Sequence, residues 1–87
     1  MDDSVQLNEQ VDVVVLFRPG RTMCEPVKFR RKNGREVTIT EIGLRHPRTN
    51  GVRMVHVFDV TDGGADYRLE FDAEQLTWRL TREADKW

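Results

Sequence analysis

The sequence has one cysteine, three prolines, no long hydrophobic run and a formal net charge of only −1. Cys24 alone closes no internal disulfide, and a chain without disulfides points to a reducing cytoplasm. The longest apolar stretch, Val11 to Phe17, is too short to cross a bilayer, so no membrane partner is expected. Asp2, Asp3 and Glu9 precede it, unlike the cationic start of a secretory signal. A near-zero net charge supplies no global field towards nucleic acid or a membrane surface.

Metal and cofactor motifs are missing too. His46, His56 and Cys24 have no close spacing of the kind a zinc site uses. Asp59 to Asp66, DVTDGGAD, lacks the ligand spacing of a calcium loop, and its aspartates suit a Gly-Gly turn instead. Phosphate-cradling loops and dinucleotide fingerprints are absent, so no cofactor is expected. Cys24 has no base beside it in sequence, and no paired carboxylates suggest acid–base work. These absences point away from an enzyme.

No segment keeps a 3.6-residue apolar period for three turns, which leaves strands. The 87 residues suit one small domain, 38% hydrophobic and 33% charged. Met1 to Gln10 reads as a flexible polar segment, and 11–87 as a single small β domain. Within it, VDVVVLF (11–17) is rich in β-branched residues and reads as a buried strand. Five more strands follow at roughly 27–32, 35–44, 52–61, 66–71 and 76–82. The tail TREADKW has room for a short helical turn, and Trp87 for docking on the domain.

Turn chemistry sets the pairing. Asn33-Gly34 marks a hairpin. A two-residue loop there would scatter apolar residues over both faces. A three-residue loop, Lys32-Asn33-Gly34, places Phe29 opposite Val37 and Val27 opposite Ile39 on one face, with Gly34 as a G1 bulge. Arg30 then opposes Glu36, and Lys28 opposes Thr38. A two-residue Gly63-Gly64 loop pairs Val60 with Tyr67, Phe58 with Leu69 and His56 with Phe71. A four-residue connection, Asp72 to Gln75, then sets Phe71 against Leu76, Leu69 against Trp78 and Tyr67 against Leu80. A bend near Thr40-Glu41 would bring Val37, Ile39, Ile42 and Leu44 to one interior, and Arg45 to Gly51 reads as a loop. Val55 and Val57 on the reverse face call for a cover, either strand 11–17 or a partner chain. The expected fold is all-β: an antiparallel meander of five to six strands, curled towards a partly open small barrel.

Charge is the most function-like feature. Met1 to Val27 is net −3, Lys28 to Arg53 net +6, and Met54 to Trp87 net −4. Two basic clusters emerge: Arg31, Lys32 and Arg35 at one hairpin tip, and Arg45, Arg48 and Arg53 at the other end of the next strand. Such residues suit phosphate contacts. Single-strand binders add aromatic platforms, however, and Phe29, Phe58, Tyr67, Phe71 and Trp78 all point to the core face.

The segments EPVKFRRKNGREVTITEIG, FDV…YRLEFD and LTWRL resemble a group of short bacterial proteins of unknown function. In that group a small β-domain carries a P-x-x-F…basic…G hairpin, a Y-R-L/V strand and a W-x-L ending. The matching positions are Pro26, Phe29, Gly34, Tyr67, Leu69, Trp78 and Leu80, within about residues 25–82. Related domains form tails of Y-family-polymerase-like repair proteins, and the resemblance implies a nucleic-acid or repair partner.

The residues therefore favour a non-catalytic interaction module that contacts a protein partner or self-associates through an edge strand or charged loops. Val13→Lys or Val15→Lys is expected to break that association. Nucleic-acid binding through the six basic residues is the alternative.

Overall fold

The structure, a computed structural model, describes residues 4–20 and 24–85. They form eight strands: β1 (Val5–Gln10), β2 (Asp12–Leu16), β3 (Glu25–Arg30), β4 (Glu36–Thr38), β5 (Glu41–Asn50), β6 (Arg53–Thr61), β7 (Ala65–Asp72) and β8 (Thr77–Asp85). The all-β antiparallel meander holds, but with eight strands in two sheets in place of five or six. A five-stranded sheet has the order β1-β8-β7-β6-β5, and a three-stranded sheet the order β2-β3-β4. The sheets face each other as a small sandwich, and no barrel closes.

The chain changes sheet at two corners. Val11 is buried between β1 and β2, and its N–H still donates to the Trp78 carbonyl at 3.2 Å. At the other corner the Ile39 N–H donates to Val27 in the small sheet at 2.9 Å. The very next N–H, from Thr40, donates to Thr61 in the large sheet at 2.8 Å. The bend expected near Thr40-Glu41 is this corner, which joins sandwich layers as such bends do.

Between the layers lie Phe29 and Val37 from the small sheet, and Phe58, Val60, Tyr67, Leu69, Trp78 and Leu80 from the large one. Phe29 meets Tyr67 edge-on across the gap, with ring centroids 5.2 Å apart. Phe71 and Trp78 lie 4.8 Å apart within the large sheet.

The β3–β4 hairpin has the expected register: Phe29 opposes Val37, Lys28 opposes Thr38 and Arg30 opposes Glu36. Gly34, at φ +89°, occupies the left-handed position of its three-residue loop. The β6–β7 register also follows the Gly63-Gly64 loop residue for residue.

From Leu69 to Asp72 the β7–β8 register differs by two residues, and past a bulge between Arg68 and Leu69 by three, with Tyr67 opposite Glu83 instead of Leu80. Phe71 opposes Trp78, and Leu69 opposes Leu80. Asp72 is itself paired, with Thr77, and its Oδ1 accepts the N–H groups of Glu74 and Gln75 at 3.0 and 3.1 Å. That cap starts the loop at Ala73 and pushes Leu76 out of the core, to 74% exposure at φ +57°. A two-residue slip keeps every side chain on its face, so apolar alternation cannot detect it.

Four other expectations give way. Val5–Gln10, read as flexible, forms β1 on the edge of β8. Arg45 to Asn50, read as loop, continues β5 to a two-residue turn of Gly51 and Val52, with Gly51 at φ +67°. Leu44 is exposed, because a bulge at Gly43 sets it opposite Asp59 on the outer face. Thr81 to Asp85 extend β8 as strand rather than helix, while Trp87 lies outside the described residues.

Val55 and Val57 are buried, yet β2 lies in the other sheet, over the opposite face, and does not cover them. Arg48 on β5 pairs with Glu70 on β7, and that ion pair must cross β6 on the valine side. Long charged side chains cover apolar surface in this way with their aliphatic stems.

Leucine in the left-handed region is strained by about 1–2 kcal/mol. Leu76→Gly should therefore leave stability unchanged or raise it by about 0.5–1 kcal/mol. Leu80→Ala, at a fully buried site, should cost about 2–5 kcal/mol. Urea midpoints read both; a loss of core size at Leu76→Gly would restore the register with Leu76 inside.

Candidate interaction surface

The six basic residues singled out by sequence do not form one surface. Arg31 turns inward at the β3–β4 tip, where its side chain is only 13% exposed. Its Nε and Nη2 donate to the two Glu9 oxygens at 3.2 and 2.9 Å, and Nη1 donates to Glu83 at 2.9 Å. The Lys32 N–H adds a bond to Glu9 at 3.1 Å. Arg31 thus ties the small sheet's hairpin to β1 and β8 of the large sheet. Hydrogen bonding from Arg31 holds the Glu9 carboxyl below its ordinary range, against burial, which acts the other way. The same bonds, Glu9 first and Glu83 after it, hold the Arg31 guanidinium above its own ordinary value.

Arg35 stays exposed at this tip and reaches the Tyr67 hydroxyl at 3.5 Å. The Lys32 ammonium makes no ion pair among the described residues. Arg48 belongs to Glu70, and Arg53 to Asp72 at 3.3 Å and Glu74 at 3.9 Å. Tyr67 and Asp72 are five steps apart on β7, about 17 Å along the strand. Arg35 approaches β7 on its inner face and Arg48 on its outer face, so the clusters diverge. Arg45, opposite Phe58, lines an open groove of about 390 Å³ with Arg18, Glu25, Thr40 and Glu41. It makes no ion pair among the described residues. Four of the eight basic residues in the basic stretch of sequence, Arg30, Arg31, Arg48 and Arg53, thus pair with carboxylates from the two acidic stretches.

Other reactive groups are quiet. Burial pushes the Cys24 thiol up, which leaves little thiolate. His56 opposes Pro47 and Phe71, and its Nδ1 is buried without a hydrogen-bond partner. Among the described residues no three His, Cys, Asp or Glu side chains gather as a metal site. No helix among them is long and apolar enough to cross a membrane.

Protein-family models, curated proteins and solved structures show no match to this chain.

The four sheet edges are not alike. β1 is polar (VQLNEQ) and its pairing is bulged between Gln6 and Glu9. β4 is three residues long. β5 carries Arg45, Pro47 and Arg48 and is bulged at Gly43. Each has a device that discourages pairing with another strand. β2 has none. From Val13 to Leu16 it carries no charge and no proline, and among the described residues it pairs only on its β3 side. Val14 and Leu16 are 53% and 38% exposed on its outer face, and Phe17 beyond it is 78% exposed. The sequence reading treated this whole run as buried. Its one available signal was Asp12, which shares its face with Val14 and Leu16. Val13 and Val15 point inward against the core, so substitution there would test folding and not association.

Removing Arg31 would leave two partly buried carboxylates facing each other. Arg31→Ala should cost about 1–3 kcal/mol by thermal or urea unfolding, so Arg31→Glu would report on the fold before any ligand. Glu9 has a depressed pKa, so its stabilisation is present above its unfolded value and disappears as pH falls through the folded one. The stability gap between wild type and Glu9→Gln should be full at pH 7 and close as pH falls below the ordinary glutamate range. A gap unchanged down to pH 2 would remove the ionised clasp.

Proposed function

We propose that this chain is a non-catalytic interaction module that works by strand addition at β2. The observation that carries this reading is the unprotected edge: four consecutive uncharged residues, Val13 to Leu16, continued by Phe17, on a strand with one side free among the described residues. An incoming extended segment would pair with the β2 backbone and lay alternate side chains against Val14 and Leu16, the geometry of β-augmentation. A reducing cytoplasmic setting, in which Cys24 stays a thiol, belongs to the same reading. The nucleic-acid alternative finds less support, because Arg31, Arg48 and Arg53 are committed to carboxylates.

Immobilised chain should retain a protein partner that Val14→Lys loses by at least about tenfold, since a charge would stand in an apolar contact. Val52→Lys, at a fully exposed turn tip, makes the same chemical change elsewhere and should retain it. Equal capture by Val14→Lys and wild type would rule out β2 as the working edge.

A further inference from the structure

The β2 edge is complementary to itself, and we infer that its occupant is a second copy of this chain. This rests on the reading of β2 as the working edge and adds the partner. Consider two β2 strands running antiparallel with Val15 opposite Val15 of the other copy. Val14 then faces Leu16 on the outer side, twice by symmetry. Val13 faces Phe17 on the inner side, which gives the most exposed aromatic of this segment an apolar neighbour. Asp12 faces Arg18 at both ends. The Asp12 carboxylate already takes one bond, from Arg30 at 3.0 Å, and is otherwise exposed, with room for a second donor. Arg18, held by Glu25 at 3.2 Å, stays half exposed.

Neighbouring registers lose this match. Because a two-fold axis relates the copies, the centre must fall on a residue and slips come in steps. Centring on Val14 sets Asp12 against Leu16. Centring on Leu16 sets Val14 against Arg18 and brings Pro19, which lacks an N–H, into the ladder. Only the Val15 register joins apolar to apolar and acid to base. The product is a continuous six-stranded sheet, β4-β3-β2 joined to its symmetry mate, with the Arg31-clasped sandwiches outside it.

The test is sedimentation of the full chain over a concentration series, with amide exchange across 12–17. The mass should rise from one chain to two, and protection of 12–17 should grow with concentration. Val14→Lys should leave one chain, Arg18→Asp should weaken pairing roughly tenfold because two symmetry-related charged contacts reverse together, and Arg18→Lys should restore most of it. Circular dichroism checks that each variant stays folded; were Val14→Lys to unfold, Arg18→Asp still decides. A single-chain mass at every concentration overturns self-pairing, yet Val14-dependent capture of a different protein would leave β2 as the working edge. A dimer indifferent to both Val14→Lys and Arg18→Asp overturns the inference, because the copies then meet elsewhere; the edge reading falls only if capture of a protein partner is equally indifferent to Val14→Lys.

Discussion

One face of the five-stranded sheet must be kept from water, and only three shorter strands remain to cover it. The rest of the structure follows from that mismatch. Phe58, Leu69 and Leu80 are wholly buried because β2, β3 and β4 lie over them. To lie there, the chain must leave the large sheet after β1 and return before β5. It does so at two corners, where consecutive backbone groups serve different sheets. With only Glu36–Thr38 in β4, the layers stay apart beside β5, and the groove lined by Arg18 and Arg45 is the space left over.

Charge works within this frame. The strongly basic middle of the chain looks like a polyanion site when read along the sequence, yet in space it meets the acids from both ends. Arg31 closes the corner between the layers with Glu9 and Glu83. Arg48 and Glu70 bridge across β6 and shield Val55 and Val57. A fully exposed ion pair stabilises little, but a largely covered, bidentate one between separate elements also specifies which elements meet. These arginines hold parts of the sandwich in place, and that leaves the apolar β2 edge as the feature the fold does not use.

Edges need this kind of attention because a sandwich, unlike a closed barrel, always has them. Polar composition, bulges, proline or shortness dull three of the four. The extra residue in the β2 pairing lies on β3, and beyond Asp12 the β2 strand is apolar on both faces, its inner valines serving the core and its outer Val14 and Leu16 exposed among the described residues. An interaction role for this strand follows from the contrast among the edges more than from hydrophobicity alone.

Much of this was legible in the amino-acid order. Period-two alternation separates the two faces of a strand, and turn residues such as Asn33-Gly34 and Gly63-Gly64 select between registers that differ by one. That is why the β3–β4 and β6–β7 pairings follow from sequence residue by residue. Alternation is blind to a slip of two, so the placement of Leu76 waited on the cap made by Asp72. Polar β1 could not be recognised because its reasons for being a strand, the β8 edge and Arg31, lie far along the chain. Beyond the single charge of Asp12, nothing in the sequence showed that Val14 is exposed while Val13 is covered against the core, or which acid each arginine finds. Local chemistry determined faces and turns; only the meeting of distant segments decided partners, because burial and ion pairing are properties of what arrives from elsewhere.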